Sequence, residues 1–128
     1  MRFLLDTHVL AWALGERRKL SAAVLDQLAD PDNEVFFSAV SIWEIAIKSA
    51  LLRGGFDLSP RLIADAATTT GFQRLPVTVE HALAIHALPP LHGDPFDRML
   101  VAQSRCDGLH LLTRDAALSG YGDWIQLV

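Results

Sequence analysis

The chain of 128 residues has a single cysteine, Cys106. That excludes an intramolecular disulfide framework and any multi-cysteine zinc or iron–sulfur site. It fits a reducing cytoplasm, with Cys106 as a small helical residue without chemistry. No apolar run approaches the ~18 residues that a membrane span requires. An acid arrives as early as Asp6, too early for a secretory leader. No internal repeat or low-complexity tract is present. Walker A and G-x-G-x-x-G loops are missing. So is G-x-S-x-G, which argues against a serine hydrolase. The five histidines, His8, His81, His86, His92 and His110, contain no i,i+4 pair, so a zinc site lacks support. His81 and His86 read as helix-surface residues. His92 sits beside Asp94, where it has a chance of meeting substrate. Charge is also scarce. Fifteen acids against eleven bases leave a net −4, a poor starting point for binding nucleic acid through counterion release.

Hydrophobic residues make up 51% of the chain, enough for one globular domain with its own core. Short apolar runs alternate with helical patterns. Strands are expected at residues 3–6, 34–38, 74–78, 109–113 and 124–128. Pro76 should make the third irregular. Between them, a short helix over residues 9–14 ends at Gly15. Ser21 caps a second helix. Ser41 opens a third, with Ile42, Ile45, Ala46 and Ser49 inward, that runs to about Gly54-Gly55. Ser59-Pro60 starts a fourth helix, closed by Gly71. A fifth spans residues 80–88, a sixth runs from Asp94 to about Cys106, and one helical turn follows Asp115. Trp12, Trp43 and Trp124 read as core or interface residues. Uniformly apolar strands alternating with helices predict an α/β fold. It has a central, mainly parallel twisted sheet of about five strands with helices on both faces.

Ligands of such sheets bind beyond the carboxyl ends of the strands. Asp6 follows the first strand. Ser38 closes the second, and Glu44 is expected in the first turn of the helix behind it. Asp94 and Asp97 open the helix before the fourth strand, and Thr113 and Asp115 follow that strand. Most of these acids have a structural explanation too. Ser41 and Glu44 have capping-box spacing, and Glu44 and Lys48 are an i,i+4 ion pair. Asp94 has the position of an N-cap before Pro95, and Asp115 can cap the turn after it. Asp6 alone, at the end of a buried strand, is expected to have no cap to make. Four acids converging on one edge repel one another. A hard divalent cation, Mg²⁺ or Mn²⁺, offsets that repulsion and equips such a cluster for phosphate chemistry.

Four segments resemble the PIN-domain ribonucleases, specifically VapC-type toxins of type II toxin–antitoxin pairs. They are Leu4-Leu5-Asp6-Thr7-His8, Ser38-Ala39-Val40-Ser41-Ile42-Trp43-Glu44-Ile45, Asp94-Pro95-Phe96-Asp97-Arg98-Met99-Leu100-Val101-Ala102-Gln103 and Leu112-Thr113-Arg114-Asp115. The likeness extends over essentially the whole chain and implies a single PIN-like domain, residues 1–128. It makes Asp6, Glu44, Asp97 and Asp115 the catalytic acids. Asp6 and Asp97 would hold the metal, with Glu44 and Asp115 acting through water. Thr113 would line the pocket, with Asp94, Thr7, Ser41 and Arg98 in support. Asp94 is ranked below Asp97 because of its capping position. The implied reaction is Mg²⁺- or Mn²⁺-dependent hydrolysis of RNA phosphodiesters, leaving a 5′-phosphate and a 3′-hydroxyl. A 2′-hydroxyl route would need a His or Lys acid–base pair, which the strand edge is not expected to supply. The resemblance also implies a cytoplasmic protein, a homodimer and a VapB-like antitoxin that lays a basic residue into the acidic pocket. Trp43 and Leu52 are candidates for the antitoxin groove or the dimer surface.

Two rivals carry other chemistry. An Asp-nucleophile phosphatase usually needs a second acid two residues after the first, but Thr7 and His8 follow Asp6. A receiver-like signalling domain needs a lysine near the last strands, but the lysines are Lys19 and Lys48. Arg17, Arg18, Lys19, Arg53, Arg61 and Arg98 are candidate phosphate contacts. The four site acids equal the net charge of −4. Without them, eleven acids balance eleven bases. On that view, RNA engages productively only once metal fills the pocket.

Overall fold

The computed structural model describes residues 1–51 and 58–128. Five parallel strands form one sheet in the order β3-β2-β1-β4-β5. They are β1 (Arg2–Leu5), β2 (Glu34–Ser38), β3 (Gln73–Leu75), β4 (His110–Thr113) and β5 (Ile125–Leu127). The connecting α-helices are α1 (Thr7–Gly15), α2 (Ala22–Ala29), α3 (Ala39–Ala50), α4 (Pro60–Thr70), α5 (Val79–His86) and α6 (Pro95–Asp107). Short 3-10 turns cover Arg17–Lys19 and Ala116–Tyr121.

Strand alternation splits the core in two. Phe3, Leu5, Val35, Phe37 and Leu112 face one side, against Val9, Leu10 and Ala13 of α1, Val24 of α2 and Ala67 of α4. Leu4, Phe36 and Leu111 face the other, against Leu100, Val101 and Ala102 of α6 and Leu88 after α5. Both faces are covered, so the strands read as unbroken apolar runs in sequence. The register sets Leu4 of central β1 beside Phe36 of β2 and Leu111 of β4. The carboxyl ends of β1, β2 and β4 therefore share one edge.

Among the described residues every α-helix starts on a side-chain cap: Asp6, Ser21, Ser38, Ser59, Thr78 and Asp94 each accept from a backbone N–H of the first turn. Gly71 (φ 103°) and Gly108 (φ 67°) close α4 and α6 in the left-handed region that favours glycine.

Several expectations need correction. The third helix starts at Ala39, with Ser38 as its cap, so the Ser41–Glu44 capping box does not form and Glu44 lies in the second turn. Ile45 is buried as expected and Ile42 packs partly buried against the core, but Ser41 and Glu44 also face inward, while Ala46 is exposed. The helix ends at Ala50, before the expected stop at Gly54-Gly55, which lies outside the described residues. β3 ends at Leu75 because Pro76 has no N–H to donate. The sixth helix extends one residue past Cys106, which is exposed. His81 is buried, not on the surface. Its Nδ1 accepts from Thr78 N–H (3.0 Å) and its Nε2 bonds Asp107 Oδ2 (3.0 Å), pinning the start of α5 to the end of α6. His86 is exposed as expected.

Candidate active site

Asp6 ends β1 and caps α1, contrary to the expectation that it had no cap to make. Its Oδ1 accepts from Val9 N–H at 2.8 Å, and its Oδ2 accepts from the Thr113 hydroxyl at 2.6 Å. The chain passes directly from strand to helix, which places this side chain at the first turn. Thr113 Oγ1 in turn accepts from Asp115 N–H at 3.0 Å, coupling the ends of β1 and β4. Burial pushes the Asp6 pKa up, against the bonds from Thr113 and Val9.

Glu44 is buried on the inward face of α3. Its Oε1 accepts from the Thr7 hydroxyl at 2.5 Å, and Thr7 Oγ1 lies 3.0 Å from Ser41 Oγ. Its Oε2 pairs with Lys48 one turn on. Thr7 thus bonds Glu44 directly, Ser41 touches that bond only through Thr7, and the anticipated Glu44–Lys48 ion pair is present. Trp43 packs edge-on against Phe96 with ring centroids 5.1 Å apart, bringing α3 to the start of α6.

In that first turn, Asp94 and Asp97 separate in role. Asp94 Oδ1 accepts from the N–H groups of Phe96 (2.8 Å) and Asp97 (3.4 Å), so it is engaged as the cap. The Asp97 carboxylate accepts no hydrogen bond from any described residue; its nearest polar partner is His92 Nε2 at 3.8 Å. Its pKa is pushed up to about 7, first by burial and then by the charges of Asp94, Asp6 and Glu44, with His92 opposing. Acids at the end of β1, in α3 and at the start of α6 therefore sense one another.

Asp115 caps the Ala116–Tyr121 turn through Oδ1, which accepts from Ala117 N–H at 3.0 Å. Its Oδ2 lies 2.8 Å from His92 Nε2. Asp97 and Asp115 come together around that ring: one ligand-type atom from each of His92, Asp97 and Asp115 falls within 4.8 Å of the others. Sequence reasoning gave His92 no defined place. Its position two residues before the capping Asp94 is the signal that could have supplied one.

Two expectations change here. Arg98 turns away from the acids, donating to Pro89 O and Ile85 O (both 3.2 Å) and to Tyr121 Oη (3.3 Å). It ties the end of α5 to α6. The edge also does carry a His and a Lys, His92 and Lys48, but neither is a free acid–base group. Lys48 is paired to Glu44, and both ring nitrogens of His92 are engaged, Nδ1 with Asp94 N–H at 3.0 Å.

On α1, the Trp12 ring lies 5.4 Å from Lys19 Nζ and 5.1 Å from Arg114 Cζ. An apolar groove of about 460 Å³ lies apart from the acids, lined by Phe37, Ala39, Ile42, Ala64 and Leu75 with Arg74 beside them.

The PIN domain family model matches residues 3–123. No curated protein sequence matches the chain. Among solved structures, the chain is similar to VapBC2 from Rickettsia felis bound to a DNA fragment from its promoter (TM-score 0.73, 12% identity, 100% of this chain and 98% of that one). It is also similar to FitAcB from Neisseria gonorrhoeae (TM-score 0.60, 23% identity, 99% and 96%). A third is VapBC-5 from Mycobacterium tuberculosis, of the VapBC family of toxin–antitoxin systems (TM-score 0.59, 20% identity, 99% and 97%).

Proposed function

The chain belongs to the PIN-domain family, and from that premise we propose that it is a metal-dependent endoribonuclease, a VapC-type toxin whose acidic pocket hydrolyses RNA phosphodiester bonds. The Asp97 carboxylate carries this reading. It is largely buried and receives no hydrogen bond from any described residue; burial first, and then the charges of Asp94, Asp6 and Glu44, push its pKa to about 7. Buried anionic groups ordinarily find donors or cations. The donors left at this edge are carboxylate oxygens, which suit Mg²⁺ or Mn²⁺.

Asp6 and Asp97 would hold such an ion, with Glu44 and Asp115 reaching it through water. Glu44 is already neutralised by Lys48, and both Asp115 oxygens already accept hydrogen bonds. When bound there, a divalent cation supplies positive charge opposite the phosphate and makes nearby water more acidic. The chain's own residues prepare the site. Thr113 orients Asp6, Thr7 orients Glu44, and the Asp94 cap sets Asp97 in the first turn of α6. Lys19 and Arg114 beside Trp12 are placed to meet backbone phosphates, as are the exposed Arg17, Arg18 and Arg61. Arg53 lies outside the described residues.

The resemblance implies a homodimer and a cognate antitoxin, and one structural neighbour named above belongs to the VapBC family of toxin–antitoxin systems. The groove between α3, α4 and β3, lined by Ile42, Ala64 and Leu75, offers an apolar seat for a VapB-like segment. Trp43, 59% exposed, stands on α3 beside the acids; Leu52 lies outside the described residues. No helix among the described residues is long and apolar enough to cross a membrane; a cytoplasmic setting is part of the proposal.

Purified protein incubated with RNA tests the activity. Asp6→Asn and Asp97→Asn should each lower cleavage by at least about 100-fold while the circular dichroism spectrum is retained. EDTA should stop the wild type. Undiminished cleavage in EDTA would remove the metal from the account.

A further inference from the structure

We propose that His92 is a positioning residue that aims the Asp115 carboxylate and is not a metal ligand, so that the pocket presents oxygen donors alone. The inference rests on the metal reading of Asp6 and Asp97. His92, Asp97 and Asp115 lie within 4.8 Å of one another, a spacing that by itself suits a mixed nitrogen–oxygen site, attractive to Zn²⁺ or Co²⁺.

The second ring nitrogen decides the matter. His92 Nδ1 lies 3.0 Å from the backbone N–H of Asp94 and accepts its hydrogen bond. An accepting nitrogen carries no proton, so the neutral ring carries its proton on Nε2. That proton faces Asp115 Oδ2 at 2.8 Å, with Asp97 Oδ2 at 3.8 Å. A ligating histidine has the reverse arrangement, with its lone pair toward the ion and its other N–H donating to an acceptor. For His92 to ligate through Nε2, the proton would have to move to Nδ1. Two N–H groups would then meet at Asp94, where a hydrogen bond stands now.

The bond has a clear origin in the chain. His92 lies two residues before Asp94, whose side chain caps α6 and whose backbone N–H fixes the ring. The effect falls on Asp115. Its Oδ1 is held by Ala117 N–H and its Oδ2 by His92, so one orientation of the carboxylate is selected. Held in this way, Asp115 meets an ion through water. With the His92 nitrogen committed elsewhere, the donors left for an ion are carboxylate oxygens, which suit hard cations.

Side-chain ¹⁵N NMR of the full chain, with His92 assigned through a variant, reads the proton directly. The metal-free protein should show His92 protonated on Nε2, and saturating Mg²⁺ should leave it there. In calorimetric titrations, His92→Ala should weaken Mg²⁺ binding about tenfold. His92→Gln, whose amide can still donate to Asp115, should stay within about threefold of wild type. The Zn²⁺-to-Mg²⁺ affinity ratio should change less than about threefold in either variant. A proton on Nδ1, its loss from Nε2 on adding metal, or a loss of Zn²⁺ affinity ten times larger than that of Mg²⁺ would overturn the proposal. Wild type that fails to bind Mg²⁺ at all would contradict the metal reading, and the metal-free spectrum would still decide the His92 hydrogen bond.

Discussion

Among the described residues, Asp97 and Asp6 are the two carboxyls whose pKa the fold raises; for Asp97 the cost can be followed with pH. Its ordinary carboxyl pKa is 3.8, and in the fold it rises to about 7. The folded state therefore keeps this proton over a pH range in which the unfolded chain has released it. Metal-free stability falls as pH rises from about 4 through about 7, because folding must hold the proton or bury the charge. Burial of Asp6 acts in the same direction. Asp97→Asn removes the titrating group. At pH 8 in EDTA the variant should melt about 5 °C higher than wild type, and the two should converge near pH 4. Scanning calorimetry across that range checks the sign. An Asn variant no more stable than wild type at pH 8 would show that the carboxylate is not strained in the fold. This cost was invisible in sequence, although the capping position of Asp94 already ranked it below Asp97. Backbone geometry separates them, since Asp94 spends its carboxylate on two N–H groups and Asp97 finds none. Asp6 misled in the opposite direction. It was read as a purely functional acid, yet it also caps α1. One carboxylate can serve both purposes because its two oxygens face different partners.

At the scale of elements, the strand–helix junctions set the site. Ser38 accepts from Val40 N–H at 3.0 Å to start α3, and its hydroxyl donates to Gln103 Oε1 of α6 at 2.6 Å. Ser38→Ala should lower stability by about 1–2 kcal/mol, from the lost cap and the orphaned amide. Urea denaturation reads this as a lower midpoint at unchanged m-value. A midpoint equal to wild type would mean that α3 does not depend on this cap. The same junction explains a misreading. Ser38 and Ser41 both look like caps, and the Glu three residues after Ser41 favours the later one. The strand ends one residue before the helix begins, leaving no loop in which Ser41 could cap. Strands were legible because burial on both faces makes them uniformly apolar, and helices because each opens on a Ser, Thr or Asp. His81 was less legible. Its burial depends on Asp107, 26 residues away, and no local pattern announces that pairing.

The whole molecule gathers its excess negative charge at one edge. Fifteen acids and eleven bases give −4, and the four acids nominated for the site, with Asp94 beside them, lie at or next to the junctions of β1, β2, α6 and β4. Under the proposed function, an RNA backbone approaching that edge would meet repulsion without metal and an attractive centre with a divalent ion. Fluorescence anisotropy with a labelled RNA should show binding at least about tenfold tighter in Ca²⁺, used to limit turnover, than in EDTA. Equal affinity in both would place the RNA elsewhere on the surface. The convergence of the acids on one edge was legible from the βα alternation alone, because parallel strands put every junction of one type on the same side. The role of each acid was not, since that depends on which N–H or hydroxyl lies within 3 Å. The account's central claim is that these carboxylates direct metal-dependent hydrolysis of RNA. The chemistry of the cleaved ends tests this most directly. Wild-type protein with Mg²⁺ should yield 5′-phosphate and 3′-hydroxyl ends, and none with EDTA or in Asp97→Asn; 2′,3′-cyclic phosphate ends, or the same products without metal, would contradict it.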